Sequence, residues 1–159
     1  MVSRMPGKRT LRILICDADR EFVQAAERIL GAEGHTVVAE ADLCKATRLA
    51  LKSAPDVIVL PSEFADNPNA DLITALIHRL TPRPAILLTI RMARFDLARK
   101  AWQKGADGTL FKPILEDQEL KREIARARRR VAERLGNDPQ LEDEIVKPSR
   151  QTERQALLP

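Results

Sequence analysis

The sequence of 159 residues predicts an α/β chain, with five parallel strands in one sheet and helices covering both faces. Three observations carry that prediction. Short apolar runs of strand length recur five times, at "LRILIC", "TVVAE", "DVIVL", "AILLT" and "TLF". Between and after them, apolar residues return at helical spacing. The runs themselves are continuously apolar rather than alternating, as strands buried on both faces are.

Residues 1–10, with Pro6, Gly7 and scattered basic groups, read as a flexible leader. "LRILIC" (11–16) is the first strand, and Asp19 caps the helix after it. There Phe22, Ala25, Ala26, Ile29 and Leu30 form one buried stripe, ended by Gly31 and Gly34. "TVVAE" (36–40) is the second strand, and residues 42–53 are a second helix with Leu43, Ala46 and Ala50 on one side. Pro55 breaks that helix and "DVIVL" is the third strand. After a loop rich in Asp, Asn and Pro, Leu72, Ile73, Leu76, Ile77 and Leu80 mark a third helix. "AILLT" (85–89) is the fourth strand, and Leu97, Ala98, Ala101 and Trp102 mark a fourth helix stopped by Gly105. "TLF" (109–111) is a short fifth strand. The last helix runs from about Glu116 to Leu135, with Leu120, Ile124, Ala127, Val131 and Leu135 on one stripe, and Gly136 ends it. The folded unit thus spans 11–136, and the mixed-charge, proline-containing stretch 137–159 reads as a disordered tail.

Composition narrows the function classes. Hydrophobic residues make up 44% and aromatics only 3%, with no tyrosine, so the core is aliphatic and stacking platforms for single-stranded nucleic acid are disfavoured. Cys16 and Cys44 make no disulfide framework, and Cys16 falls in an apolar run, where a free thiol serves as a small hydrophobe. No segment reaches membrane-spanning length, so the expectation is a cytoplasmic protein. The net charge of +4 is concentrated between Lys121 and Arg134, where seven basic residues face Glu123 and Glu133. His35 reads as an exposed turn residue and His78 lies on the third helix beside Arg79; neither has a spacing that suggests zinc or catalysis.

In such sheets, working residues lie beyond the carboxyl ends of the strands, here Asp17–Asp19, Pro61–Phe64, Thr89–Arg91 and Lys112–Pro113. The acidic cluster "CDAD", the strands "PDVIVL" and "PAILLT", and above all the closing "KGADGTLFKPI" resemble the receiver domain of bacterial response regulators over roughly residues 10–130. That resemblance implies a flavodoxin-like sheet of order 2-1-3-4-5. It also implies a phosphoryl switch. An aspartate ending strand three accepts the phosphoryl group, Mg²⁺ bridges it to acids after strand one, and a strand-four Thr or Ser with a strand-five Lys grips the phosphoryl oxygens. Phosphoryl transfer needs neutralised charge and aligned atoms more than covalent help.

Carried over residue by residue, the pattern breaks at its centre. Pro61 occupies the acceptor position and has no side-chain oxygen. Ala18 stands where the family places a metal ligand, leaving Asp17 and Asp19, with Asp19 better suited to a helix cap. Thr89 and Lys112 match the gripping pair, yet Lys112 also suits a simple ion pair with Asp17. Ile90 replaces a small residue and should narrow the pocket, and Thr109 replaces the switching aromatic. The expectation is a degenerate pseudo-receiver with a vestigial pocket, no metal, no cofactor and no enzymatic activity. It would act as a phosphorylation-independent protein-interaction module in two-component-type signalling. A displaced acceptor at Ser62, Glu63, Asp66 or Asp17 is the alternative.

The last helix is the expected interaction surface, through Arg122, Arg126, Arg129, Arg130, Val131 and Leu135. It runs a turn or two beyond the usual end of receivers, so Val131 and Leu135 should lack a sheet beneath them and seek a partner helix. The implied partner is a signalling protein with an acidic face, or a second copy of the chain. Nucleic acid ranks behind these, since arginines suit phosphates but no reading module is visible.

Overall fold

The structure is a computed structural model that describes residues 9–91, 94, 96 and 105–135, without the side chains of Ala65 and Leu135. Most of the expected leader, the fourth helix marked by Leu97 to Trp102, and the tail 137–159 lie outside the described residues. The strands are β1 (Arg12–Ile15), β2 (Thr36–Ala39), β3 (Val57–Pro61), β4 (Ala85–Arg91) and β5 (Gly108–Lys112). The helices are α1 (Arg20–Ala32), α2 (Leu43–Ser53), α3 (Ala70–His78) and α4 (Asp117–Leu135), with a 3₁₀ turn at Ser62–Asp66. All neighbouring strands pair in parallel, in the order β2-β1-β3-β4-β5.

The continuous apolar runs are explained by cores on both sides. Along β3, Val57 and Val59 enter one cluster while Ile58 and Leu60 enter the other, the period of two that a strand imposes. The first cluster joins α1 (Phe22, Ala26, Ile29, Leu30) to α4 (Leu120, Ile124, Ala127, Val131). The second joins α2 (Ala46, Ala50) to α3 (Ile73, Ile77) and Phe64. Gly108 lets α4 lie close on β5: a Cβ there would meet Leu87 Cδ1 at 3.1 Å and the Ala127 Cβ at 3.2 Å.

Three expectations change. Gly31 lies inside the last turn of α1, and the reversal falls to Gly34, whose φ of +86° favours glycine. The buried face of α3 is Ala70, Ile73, Thr74 and Ile77, while Leu72 is 60% exposed. Thr74 takes an inward place because its hydroxyl donates to the Ala70 carbonyl at 2.8 Å, which satisfies it without a tertiary partner. Val131 does not overhang the sheet: it is 6% exposed, packed in the α1/α4 core.

α4 keeps its far end on the domain through a polar clamp. Asp107, just before β5, is fully buried. Its carboxylate accepts Arg83 Nη2 at 3.2 Å, Arg134 Nη1 at 2.6 Å and the Ile86 amide at 2.8 Å, and its carbonyl accepts Arg130 Nη1 at 2.9 Å. Arg83 also lies 2.9 Å from His78 Nε2. Burial, then Arg83, holds His78 below the usual imidazole range. His78 therefore has a neighbour that the helical spacing did not reveal. His35, too, is not a free turn residue: it is half-buried, and its Nδ1 accepts the Leu11 amide at 3.0 Å.

Candidate functional site

The carboxyl ends of β1, β3, β4 and β5 open into a cleft of about 490 Å³ lined by Asp17, Ala18, Asp19, Pro61, Glu63, Arg91 and Lys112. A second hollow of about 480 Å³ shares Asp19, Arg91 and Lys112 and continues past Phe22 to Pro113 and Ile114. Strand register builds the site. Pro61 pairs with Thr89 across β3 and β4, and Arg91 pairs with Lys112 across β4 and β5, so two cations stand side by side at the mouth.

Asp17 is the hub. Its Oδ2 accepts Lys112 Nζ at 2.5 Å and Thr89 Oγ1 at 3.3 Å, and its Oδ1 accepts the Asp19 amide at 2.9 Å. Asp17 and Lys112 are each 8% exposed, so the pair is held in a medium that strengthens it and penalises either charge alone. Lys112 Nζ also sits 5.0 Å from the centroid of the Phe22 ring, a further favourable contact for a partly desolvated ammonium. Thr89 Oγ1 lies 3.4 Å from the Leu60 carbonyl, so the hydroxyl that the family pattern assigns to gripping is engaged within the chain. Beside this hub, burial first and Asp17 second push the Cys16 thiol up to about 12, so it stays protonated at neutral pH.

The donor set does not fit a magnesium ion. Asp19 caps α1, accepting the Phe22 amide at 3.2 Å, while both oxygens of Asp17 already accept hydrogen bonds and Pro61 has no side-chain oxygen. Among the described residues, no group of three or more His, Cys, Asp and Glu side chains converges to hold a metal.

Two site expectations need revision. Ile90 does not narrow the cleft: it is fully buried in β4, and Arg91 is the residue of that strand end that lines the opening. Arg91 was visible only as a strand-end position, and the cue to it is the register that sets it beside Lys112. Among the candidate displaced acceptors, Glu63 lines the cleft, whereas Ser62 is fully buried and Asp17 is fully engaged. Asp66 is exposed at the end of the 3₁₀ turn, outside the lining. Thr109 is half-buried in β5, paired with Leu88.

The Ser62 hydroxyl has no hydrogen-bond partner among the described residues, and an unsatisfied buried hydroxyl costs about 1–3 kcal/mol. Ser62→Ala should therefore stabilise the domain by about 1 kcal/mol, read as a raised urea midpoint with unchanged slope. A lowered midpoint would mean that the hydroxyl is satisfied.

On α4, Arg122 and Arg129 are exposed, Arg126 is exposed but bonded to Glu123 at 2.8 Å, and Lys121 pairs with Glu33 at 2.6 Å. Arg130 is half-buried and tied to Asp107, which removes it, with Val131, from the free surface. The side chain of Leu135 lies outside the described residues.

Residues 13–125 match the family described as response regulator receiver domain. The transcriptional regulatory protein PrrA of Mycobacterium tuberculosis is 30% identical over 124 residues, covering 78% of this chain and 53% of that protein. The PrrA of Mycobacterium leprae is 30% identical over 126 residues, covering 79% and 54%. The chain thus spans about half the length of the curated relatives it matches. Among solved structures, the receiver domain of a Bermanella marisrubri response regulator superposes with a TM-score of 0.62 at 23% identity, covering 75% of this chain and 98% of that one. The receiver domain of the Pseudomonas aeruginosa sensor histidine kinase PA1611, which has a magnesium ion coordinated in its active-site cleft, gives 0.62 at 22% identity, covering 76% and 98%. No described helix is long and apolar enough to cross a membrane.

Proposed function

This chain belongs to the response regulator receiver domain family, and on that premise we propose that it is a phosphorylation-independent receiver, a pseudo-receiver that works by binding a signalling protein. The observation that carries the reading is the closed Asp17–Lys112 pair beside Pro61. The ammonium and the Thr89 hydroxyl, which would otherwise meet an incoming phosphoryl group, are turned on a carboxylate of the chain itself. The position next to them, on β3, carries a proline with no nucleophilic oxygen. The binding surface in this reading is the basic face of α4, Arg122, Arg126 and Arg129, and its partner carries acidic groups.

Intact-protein mass after incubation with acetyl phosphate and Mg²⁺, beside an ordinary receiver as positive control, tests the reading. The expected result is no added phosphate. A stoichiometric adduct would overturn it, and one mapping to Glu63 would mark the cleft carboxylate as a displaced acceptor. Duplex DNA binding that falls steeply with salt and is lost on replacing Arg122 and Arg129 would favour a nucleic-acid role for α4 instead.

A further inference from the structure

At the opposite end of the sheet from the phosphoryl-type cleft, the starts of β3 and β4 and the second half of α4 enclose a smaller cavity of about 150 Å³. Arg9, Arg83 and Arg128 converge on it, with Asp56 as its one lining carboxylate and with Pro82 and Val131 in its wall. The neighbouring acids are occupied. Asp56 accepts Arg9 Nη2 at 3.1 Å and the Arg12 amide at 2.8 Å, and Asp107 serves Arg83 and Arg134. Arg128 is half-buried, and it makes no hydrogen bond or ion pair among the described residues. Among the described residues its donors are thus unused, in a cavity where like charges meet, and apolar walls strengthen any attraction to an anion.

We propose that this cavity is a recognition site for a carboxylate side chain of a partner protein, held by Arg128 and supported by Arg9. Its volume lies below the roughly 300–1,000 Å³ of small-molecule pockets, so one side chain fits and a cofactor does not. Guanidinium is the group that matches a carboxylate fork for fork. The exposed Ala132 of α4 is part of the cavity's lining, so the site is reached from the surface of that helix. The inference rests on the protein-binding reading above and supplies the chemistry of the partner.

The test is fluorescence anisotropy of the full chain with a labelled oligoglutamate peptide at physiological ionic strength. Arg128→Gln should weaken binding about tenfold, and Arg9→Gln should weaken it less, because that side chain already serves Asp56. Arg48→Gln, exposed on α2 and away from the cavity, should leave it unchanged, with all three variants melting like the parent. Equal weakening by Arg48→Gln would mean diffuse attraction and would overturn the site. So would Arg128→Gln binding as tightly as the parent, or free glutarate competing as effectively as the peptide. A chain that takes up phosphate yet still binds through Arg128 would sink the phosphorylation-independent reading and leave the site standing.

Discussion

Asp107→Ala is expected to cost the domain about 3 kcal/mol of stability, near the lower end of what breaking a buried charge cluster costs. The carboxylate is fully buried and holds two guanidiniums and a backbone amide, so its removal strands Arg83, whose side chain is only 10% exposed. The estimate stays low because Arg134 is 38% exposed and can turn to water. Asp107→Asn should recover part of the loss, since an amide oxygen still accepts the Ile86 N–H. Arg134→Gln should cost less than about 1 kcal/mol. Urea denaturation of the four proteins decides the matter: equal midpoints for parent and Asp107→Ala would mean that the clamp contributes nothing net.

The second large effect is expected at Val131→Asp. Val131 belongs to the apolar cluster of Leu11, Val57, Ala85 and Ile124, and its outer edge meets the arginine-lined cavity, so a carboxylate there loses the apolar packing while Arg128 offsets only part of its desolvation. Burying it should cost about 3 kcal/mol, a large fraction of the stability of an ordinary domain and a clear drop in the melting temperature. Val131→Ala should cost only about 2 kcal/mol, the transfer and cavity terms of a lost side chain. Circular dichroism melts separate this account from the one that the helix length alone suggested. A variant that melts like the parent while losing a binding partner would put Val131 on an interface.

The contrast between those accounts marks where the sequence was legible. The five strands, their parallel pairing and the two-faced burial followed from apolar runs and their spacing, because a strand buried on both sides leaves a local signature, while the strand order came from the resemblance. The Asp17–Lys112 pair was anticipated from the resemblance, and Asp19 as a helix cap from its place before an apolar stripe. What stayed hidden depends on contacts distant in sequence. The arginines at 130 and 134 looked like a solvated face because Asp107, which anchors them, lies 23 and 27 residues away. Leu72 looked buried because apolar spacing cannot show that Thr74 satisfies itself and takes the inward place. Ile90 looked like an obstruction because the family pattern fixes a position but not which neighbour meets the opening.

The clamp also has a mechanical consequence. α4 is 19 residues long, about 28 Å at the rise of an α-helix, and is fastened by its apolar stripe along β5 and by arginines at its far end. It begins five residues after Lys112, the last residue of β5, and its second half carries Arg128, Val131 and Ala132 of the opposite cavity. A helix held at both its apolar stripe and its far end opens only with the domain, so the amides of its last turns should exchange as slowly as those of its middle rather than fray.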